Sequence, residues 1–201
     1  MTDSRAPLLD QLARYLGRHP EERIAVDHVI QFVRANPDCF ERTCVPGHVT
    51  GSAWIVSPDR RAFLLAHHAK LGRWLQCGGH SDGDPDTPAV ALREAREESG
   101  LAKLEFAQRD SLGPVPFDVD VHVFPARGGE PAHLHHDVRY LLLAAPGQEP
   151  RASSESNALR WFPAEVDHPE LAHESLARLV RKARAWIAAE PRSASRPARC
   201  P

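Results

Sequence analysis

Apolar residues recur at three- and four-residue intervals near both ends of the chain and at alternate positions through its middle. Over residues 7–18, Leu8, Leu9, Leu12, Tyr15 and Leu16 fall on one side of a predicted helix. A second helix is predicted from Pro20 to Arg34, with Glu21 and Glu22 in its first turn and Asn36-Pro37 beyond its end. Its apolar face is Ile24, Val26, Val29, Ile30 and Val33. Two helices alone bury little surface, so residues 1–46 are expected to form a helical extension packed on a larger domain.

From His48 the period shortens. HVTGSAWIV reads as a strand closed by Ser57-Pro58-Asp59, and RAFLLAHH as its antiparallel partner. A glycine- and aspartate-rich loop, WLQCGGHSDGD, precedes a helix over 88–99. Asp86 or Thr87 suits its cap, Pro88 its first position, and Gly100 the left-handed residue beyond it. Strand patterns follow near Lys103 to Arg109, in PFDVDVHVF and HLHHDVRYLLL (joined by the hairpin-type PARGGEPA), and in ALRWF. His168 to Ala189 is predicted as a last helix, with Leu171, Leu176, Leu179, Val180 and Ile187 on its apolar side. Strands interleaved with few helices predict an α+β sandwich with a mixed sheet over 47–190, and the tail 191–201 is expected to be disordered.

Composition narrows the function classes. Among 201 residues, 42% are hydrophobic and 26% charged, and 25 Lys plus Arg against 27 Asp plus Glu leave a formal net charge of −2. That balance offers no general attraction for nucleic acid or an anionic membrane. The apolar runs fall far short of the ~20 residues that cross a bilayer. The opening MTDSRAPLLDQL lacks the layout of a secretory signal, so a cytoplasmic location is expected. Four cysteines, Cys39, Cys44, Cys77 and Cys200, are too irregular for a disulfide framework. Histidine, with 12 copies, is the unusual count.

The helix over 88–99 carries the strongest chemical signal. Glu94, Glu97 and Glu98 share one face, and Glu94 and Glu98, as like charges at i and i+4, cost roughly 0.2–0.5 kcal/mol in an isolated helix. No basic residue follows on that face before Gly100, and the carboxylates crowd the unfavourable end of the helix dipole. A solvated acidic face with an Arg93–Glu97 pair is the simpler reading. The Gly78-Gly79 pair just upstream, which lets backbone carbonyls approach the same place, favours a site for a divalent cation held by hard oxygen ligands.

Residues 79–101 resemble the Nudix box, G-x5-E-x7-R-E-U-x-E-E-x-G-U with U a bulky apolar residue. Gly79, Arg93, Glu94, Glu97, Glu98, Gly100 and Leu101 fall at the required spacings, and Ala95 stands at the first U. The resemblance implies a Nudix-type α/β/α sandwich and a Mg2+- or Mn2+-dependent pyrophosphohydrolase. Its implied substrate is a small molecule with a nucleoside joined to a diphosphate. Gly79, Glu94, Glu97 and Glu98 are then the expected metal ligands. Glu94 is alternatively a water-activating base, Arg93 an orienting residue, and Glu155, outside the box, the candidate general base. One position departs: the first Glu of the pattern falls on Pro85, which neither ligates metal nor pairs with Arg93, so Asp84 or Asp86 is the expected substitute. The N-terminal helices offer a second role as a homodimer contact, an arrangement common among Nudix proteins.

Alternation puts Asp118, Asp120 and His122 on one strand face, and His133, His135, Asp137 and Arg139 on another. If the two strands pair, one side of the hairpin is dense in His, Asp and Arg. Cross-strand ion pairs would satisfy such a face. The sharper expectation is a substrate-phosphate or second-metal site near the carboxylate helix, built from His80, His122, His135 and Arg139, with His133 and the His67-His68 pair as neighbours. Trp74, just before the glycine loop, is a candidate for stacking on a base. Two rival functions remain at this level. An isomerase of the isopentenyl-diphosphate type would use Cys77 beside His80, and a non-catalytic Nudix-like domain would bind a ligand without turning it over.

Overall fold

The computed structural model describes residues 3–126 and 131–189. The tail over 191–201 and the middle of the connection between PFDVDVHVF and HLHHDVRYLLL lie outside the described residues. Helices α1 (Ala6–Arg18) and α2 (Arg23–Ala35) lead into β1 (Gly47–Val56), β2 (Ala62–His68), β3 (Arg73–Leu75), β4 (Cys77–His80) and α3 (Thr87–Ser99). Then come β5 (Leu104–Phe106), β6 (Arg109–Asp110), β7 (Gly113–Pro114), β8 (Asp118–Phe124), β9 (His133–Ala144), β10 (Ser156–Pro163) and α4 (Glu174–Ala189). Two predicted helices are divided: Pro20–Glu22 and Pro169–Leu171 form separate 3-10 turns ahead of α2 and α4.

The main sheet runs in the order β10-β2-β1-β9-β5, with β3 on β2, β4 on β1 and β8 on β9. It is mixed because β1 and β9 pair in parallel, from Gly47 opposite Leu134 to Val56 opposite Leu143, while the other pairs are antiparallel. That central register decides which side chains share a face. Val49 and Ala91 form one buried cluster with Val138 and Tyr140, and α1 and α2 cover it with Leu8, Leu12, Tyr15, Val26, Val29 and Val33. Fully burying each such side chain contributes ~1.5–3 kcal/mol, enough to dock two helices that could not stand alone. On the opposite face Trp54, Val56, Phe63, Leu141 and Phe162 pack beneath Leu176, Leu179 and Ala183 of α4. The sheet is thus sandwiched between helices, as the α+β reading requires.

A buried ionic network ties α4 to β8 and β9. Arg139 donates to Asp137 at 2.7 Å, to Asp118 at 3.1 Å, to Asp120 at 2.8 Å and to Ser175 at 2.8 Å. Arg178 and Lys182 of α4 pair with Asp118, Arg178 also with Asp120, and Lys182 reaches Glu22 as well. Among the described residues no helix is long and apolar enough to cross a membrane.

Candidate active site on the carboxylate helix

Helix α3 begins where Asp86 accepts the Ala89 backbone N–H at 3.1 Å and ends at Gly100, whose left-handed φ of 70° favours glycine. The helix lies on the β1–β4 ribbon, where Gly51 faces Gly79 and Ser52 faces Gly78. Alternation along β4 turns Cys77 and Gly79 toward α3 and sends His80 to the other side of the sheet. Val90, Ala91 and Ala95 are fully buried, which brings the helix close enough for its carboxylates to meet the β4 backbone.

Glu98 accepts the Gly78 N–H at 3.0 Å. Glu94 lies over Gly79 so tightly that a β-carbon there would stand 2.5 Å from its carboxylate. Arg93 donates to Glu94 at 2.5 Å and to the His80 carbonyl at 3.0 Å, and lies 3.5 Å from Glu97. The guanidinium therefore clamps the acidic helix face to β4. The sequence left the repulsion between these carboxylates without a local partner; Arg93, on the adjoining side of the helix, supplies one.

Burial drives the remaining electrostatics. It raises the Glu98 carboxyl to about 7, against the Gly78 N–H, with the charges of Glu94 and Glu155 pushing the same way as burial. Glu94 is raised by burial too, opposed by Arg93 and assisted by Glu97 and Glu155. The charge of Glu155 is thus felt at both buried carboxylates, although it lies some sixty residues away in sequence. A divalent cation fits this donor set: hard oxygens on one helix face, a glycine whose missing β-carbon makes the cradle, and two carboxylates whose burial a positive charge would offset. Glu97 is the outlying member, its side chain 60% exposed.

Several expectations need correction. Asp84 and Asp86 do not replace the glutamate missing at Pro85: Asp84 accepts the Asp86 N–H, and Asp86 caps α3. Arg139, expected at the substrate, is 2% exposed and engaged by three aspartates and a serine, so it has nothing to offer a phosphate. Trp74 packs edge-on against Phe162 and His67, with the Arg160 guanidinium 4.7 Å from its ring centre, and so belongs to the sheet packing. His67 and His68 serve locally, His67 near Asn157 and His68 accepting the Lys70 N–H.

The remaining histidines do converge, but across the sheet from the carboxylates. His80, His122 and His135 are brought together with His133 and with His48, which sequence reading passed over. His48 lies beside His135 only through the parallel β1–β9 register, which no local pattern announces. Burial holds His80 down to about 4, with Arg42 and His48 adding to the effect, and holds His135 lower still. The same geometry separates Cys77 from His80. The Cys77 thiol is fully buried on the α3 side, where burial and Glu98 keep it protonated, and this removes the juxtaposition on which an isomerase rests.

Comparison with known proteins places this geometry. A family model described as the NUDIX domain matches residues 47–183. A C. elegans Ap4A hydrolase, solved as a binary complex, superposes with a TM-score of 0.55 at 19% identity, covering 70% of this chain and 97% of that one. A NUDIX-family hydrolase from Clostridium perfringens gives 0.54 at 20% identity over 69% and 97%. A Nudix hydrolase from M. smegmatis gives 0.51 at 22% identity over 72% and 88%. At such identities the likeness is one of fold. The search of curated proteins found no match.

Proposed function

The chain belongs to the NUDIX domain family, and from that premise we propose that it is a metal-dependent pyrophosphohydrolase cleaving a diphosphate linkage in a nucleoside di- or polyphosphate derivative. One observation carries the reading: Glu94 and Glu98 are buried together against Gly78-Gly79, with Glu155 close enough to raise both. Glu94, Glu97, Glu98 and the Gly79 carbonyl are the groups that would hold a magnesium or manganese ion. When bound, the ion neutralises diphosphate oxygens that a carboxylate site would otherwise repel. Arg93 fixes Glu94 and the His80 carbonyl, so the ligand set is assembled before substrate arrives. Glu155 takes the proton of the attacking water as its oxygen meets phosphorus and the bridging oxygen departs.

A substrate panel with Mg2+ or Mn2+ tests this: nucleoside triphosphates, dinucleoside polyphosphates, ADP-ribose, nucleotide sugars and coenzyme A. Dinucleoside polyphosphates head it because one structural relative is an Ap4A hydrolase. Metal-dependent release of a nucleotide supports the reading, and 18O-labelled water reports which phosphorus is attacked. Absence of turnover on every member, with the cation bound, favours a ligand-binding domain.

A further inference from the structure

We infer that His48, His133 and His135 form a second cation site, for a transition-metal ion such as Zn2+, on the sheet face opposite the carboxylate helix. One ring nitrogen from each of the three lies within 4.8 Å of the others. His133 Nε2 and His135 Nε2 face each other at 3.1 Å. Two nitrogens bound tetrahedrally to one zinc, at ~2.0–2.1 Å each, stand ~3.3 Å apart, so the pair is already at ligand spacing. The His48 ring centre is 4.9 Å from that of His133 and 4.8 Å from that of His135.

A hydrogen bond on its outer nitrogen orients His133 in the way a metal needs. His133 Nδ1 lies 2.9 Å from the Pro131 carbonyl. A carbonyl only accepts, so the proton sits on Nδ1 and the Nε2 lone pair points at His135. A metal-bound histidine is held in the same manner, by a carbonyl or carboxylate on its other nitrogen. His122, ring centre 5.5 Å from His135, is steadied likewise by Asp120 at 3.2 Å, and His80 lies 5.2 Å from His135 on another side. These two flank the trio. An all-imidazole set suits zinc, nickel, cobalt or copper and is a poor host for magnesium, which wants oxygen. The two sites therefore sort two kinds of cation, and neither depends on the other.

The test uses the full chain without a polyhistidine tag. Zn2+ is titrated calorimetrically, bound zinc is counted after desalting, and Co2+ is added in parallel for its visible absorption. The wild type is expected to keep one zinc per chain and to give the intense d–d bands of a four-coordinate cobalt centre. His133→Ala, at a half-exposed strand end, is expected to lose both signals, with at least about tenfold weaker zinc binding and an unchanged far-UV spectrum. His48→Ala is expected to do the same, and Glu98→Gln to leave zinc and the cobalt spectrum unaltered. No zinc uptake by the wild type, undiminished uptake by a well-folded His133→Ala, or loss of zinc in Glu98→Gln would each overturn the site. None of these outcomes bears on the pyrophosphohydrolase reading, which is tested with magnesium.

Discussion

The Glu94 carboxylate occupies the space that a side chain at Gly79 would need: a β-carbon added there stands 2.5 Å from both Cδ and Oε2 of Glu94. The obstacle is the far end of a flexible side chain, not backbone. Gly79→Ala is therefore expected to fold with its melting temperature little changed, while Glu94 swings out of the ligand set. Misplacing a catalytic group by about an ångström costs on the order of 10²-fold in rate, and kcat should fall by about that factor. Steady-state kinetics beside a thermal melt check it, and full activity in the alanine variant would show that the close packing has no catalytic role.

Arg139 is a structural cation. Its guanidinium is shared among Asp118, Asp120 and Asp137 beneath α4, and removing it leaves buried negative charge uncompensated. Arg139→Met is expected to lower stability by ~3–5 kcal/mol. Urea unfolding reads this directly; an unchanged midpoint accompanied by a raised KM would return Arg139 to the substrate.

His136 sets an acid limit on the fold. It is fully buried, stacked on Phe32 at 3.6 Å, and burial assisted by His28, His48 and His122 lowers it to about 4. Its folded value lies below the unfolded ~6.5, so as pH falls the unfolded chain takes up the proton first. The contribution is fully present above pH ~6.5 and is lost between there and about 4, at up to ~1.4 kcal/mol per pH unit. Replacement by Phe keeps the stack and removes the titration, so His136→Phe should flatten the fall in stability across that window. Identical pH profiles for the two proteins would contradict the assignment.

The N-terminal helices belong to the core in packing, whatever their place in sequence. Val49, Val119, Val138 and Tyr140 are buried in the same cluster as Leu8, Leu12 and Val29. A chain beginning at residue 47 is expected to aggregate or to lose cooperative unfolding, measured by light scattering and calorimetry. A stable, monomeric truncation would show that residues 1–46 form an independent appendage.

Much of this was legible in the chain. The caps of α3, the three glutamates on one face and the sidedness of β8 and β9 follow from local spacing, because helix and strand periods are local properties. The histidine face was visible in part: His122 and His135 alternate correctly, and the hairpin pairs them. What could not be read was depth and partnership across the sheet. Arg139 and Trp74 look like binding residues until α4 and Arg160 are placed over them. His48 gains its meaning only from a parallel pairing nearly ninety residues distant. Glu155 was singled out from its loop position, and only the folded chain brings its charge to Glu94 and Glu98.

The central claim is that the acidic face of α3 is a cation site serving diphosphate hydrolysis. Magnesium titration of the untagged protein, run beside Glu98→Gln and His133→Ala, addresses it most directly, because magnesium ignores imidazoles and seeks carboxylates. The account predicts uptake by the wild type and by His133→Ala, and at least about tenfold weaker uptake by Glu98→Gln together with loss of nucleotide hydrolysis. Equal magnesium affinity and equal turnover in Glu98→Gln would contradict it.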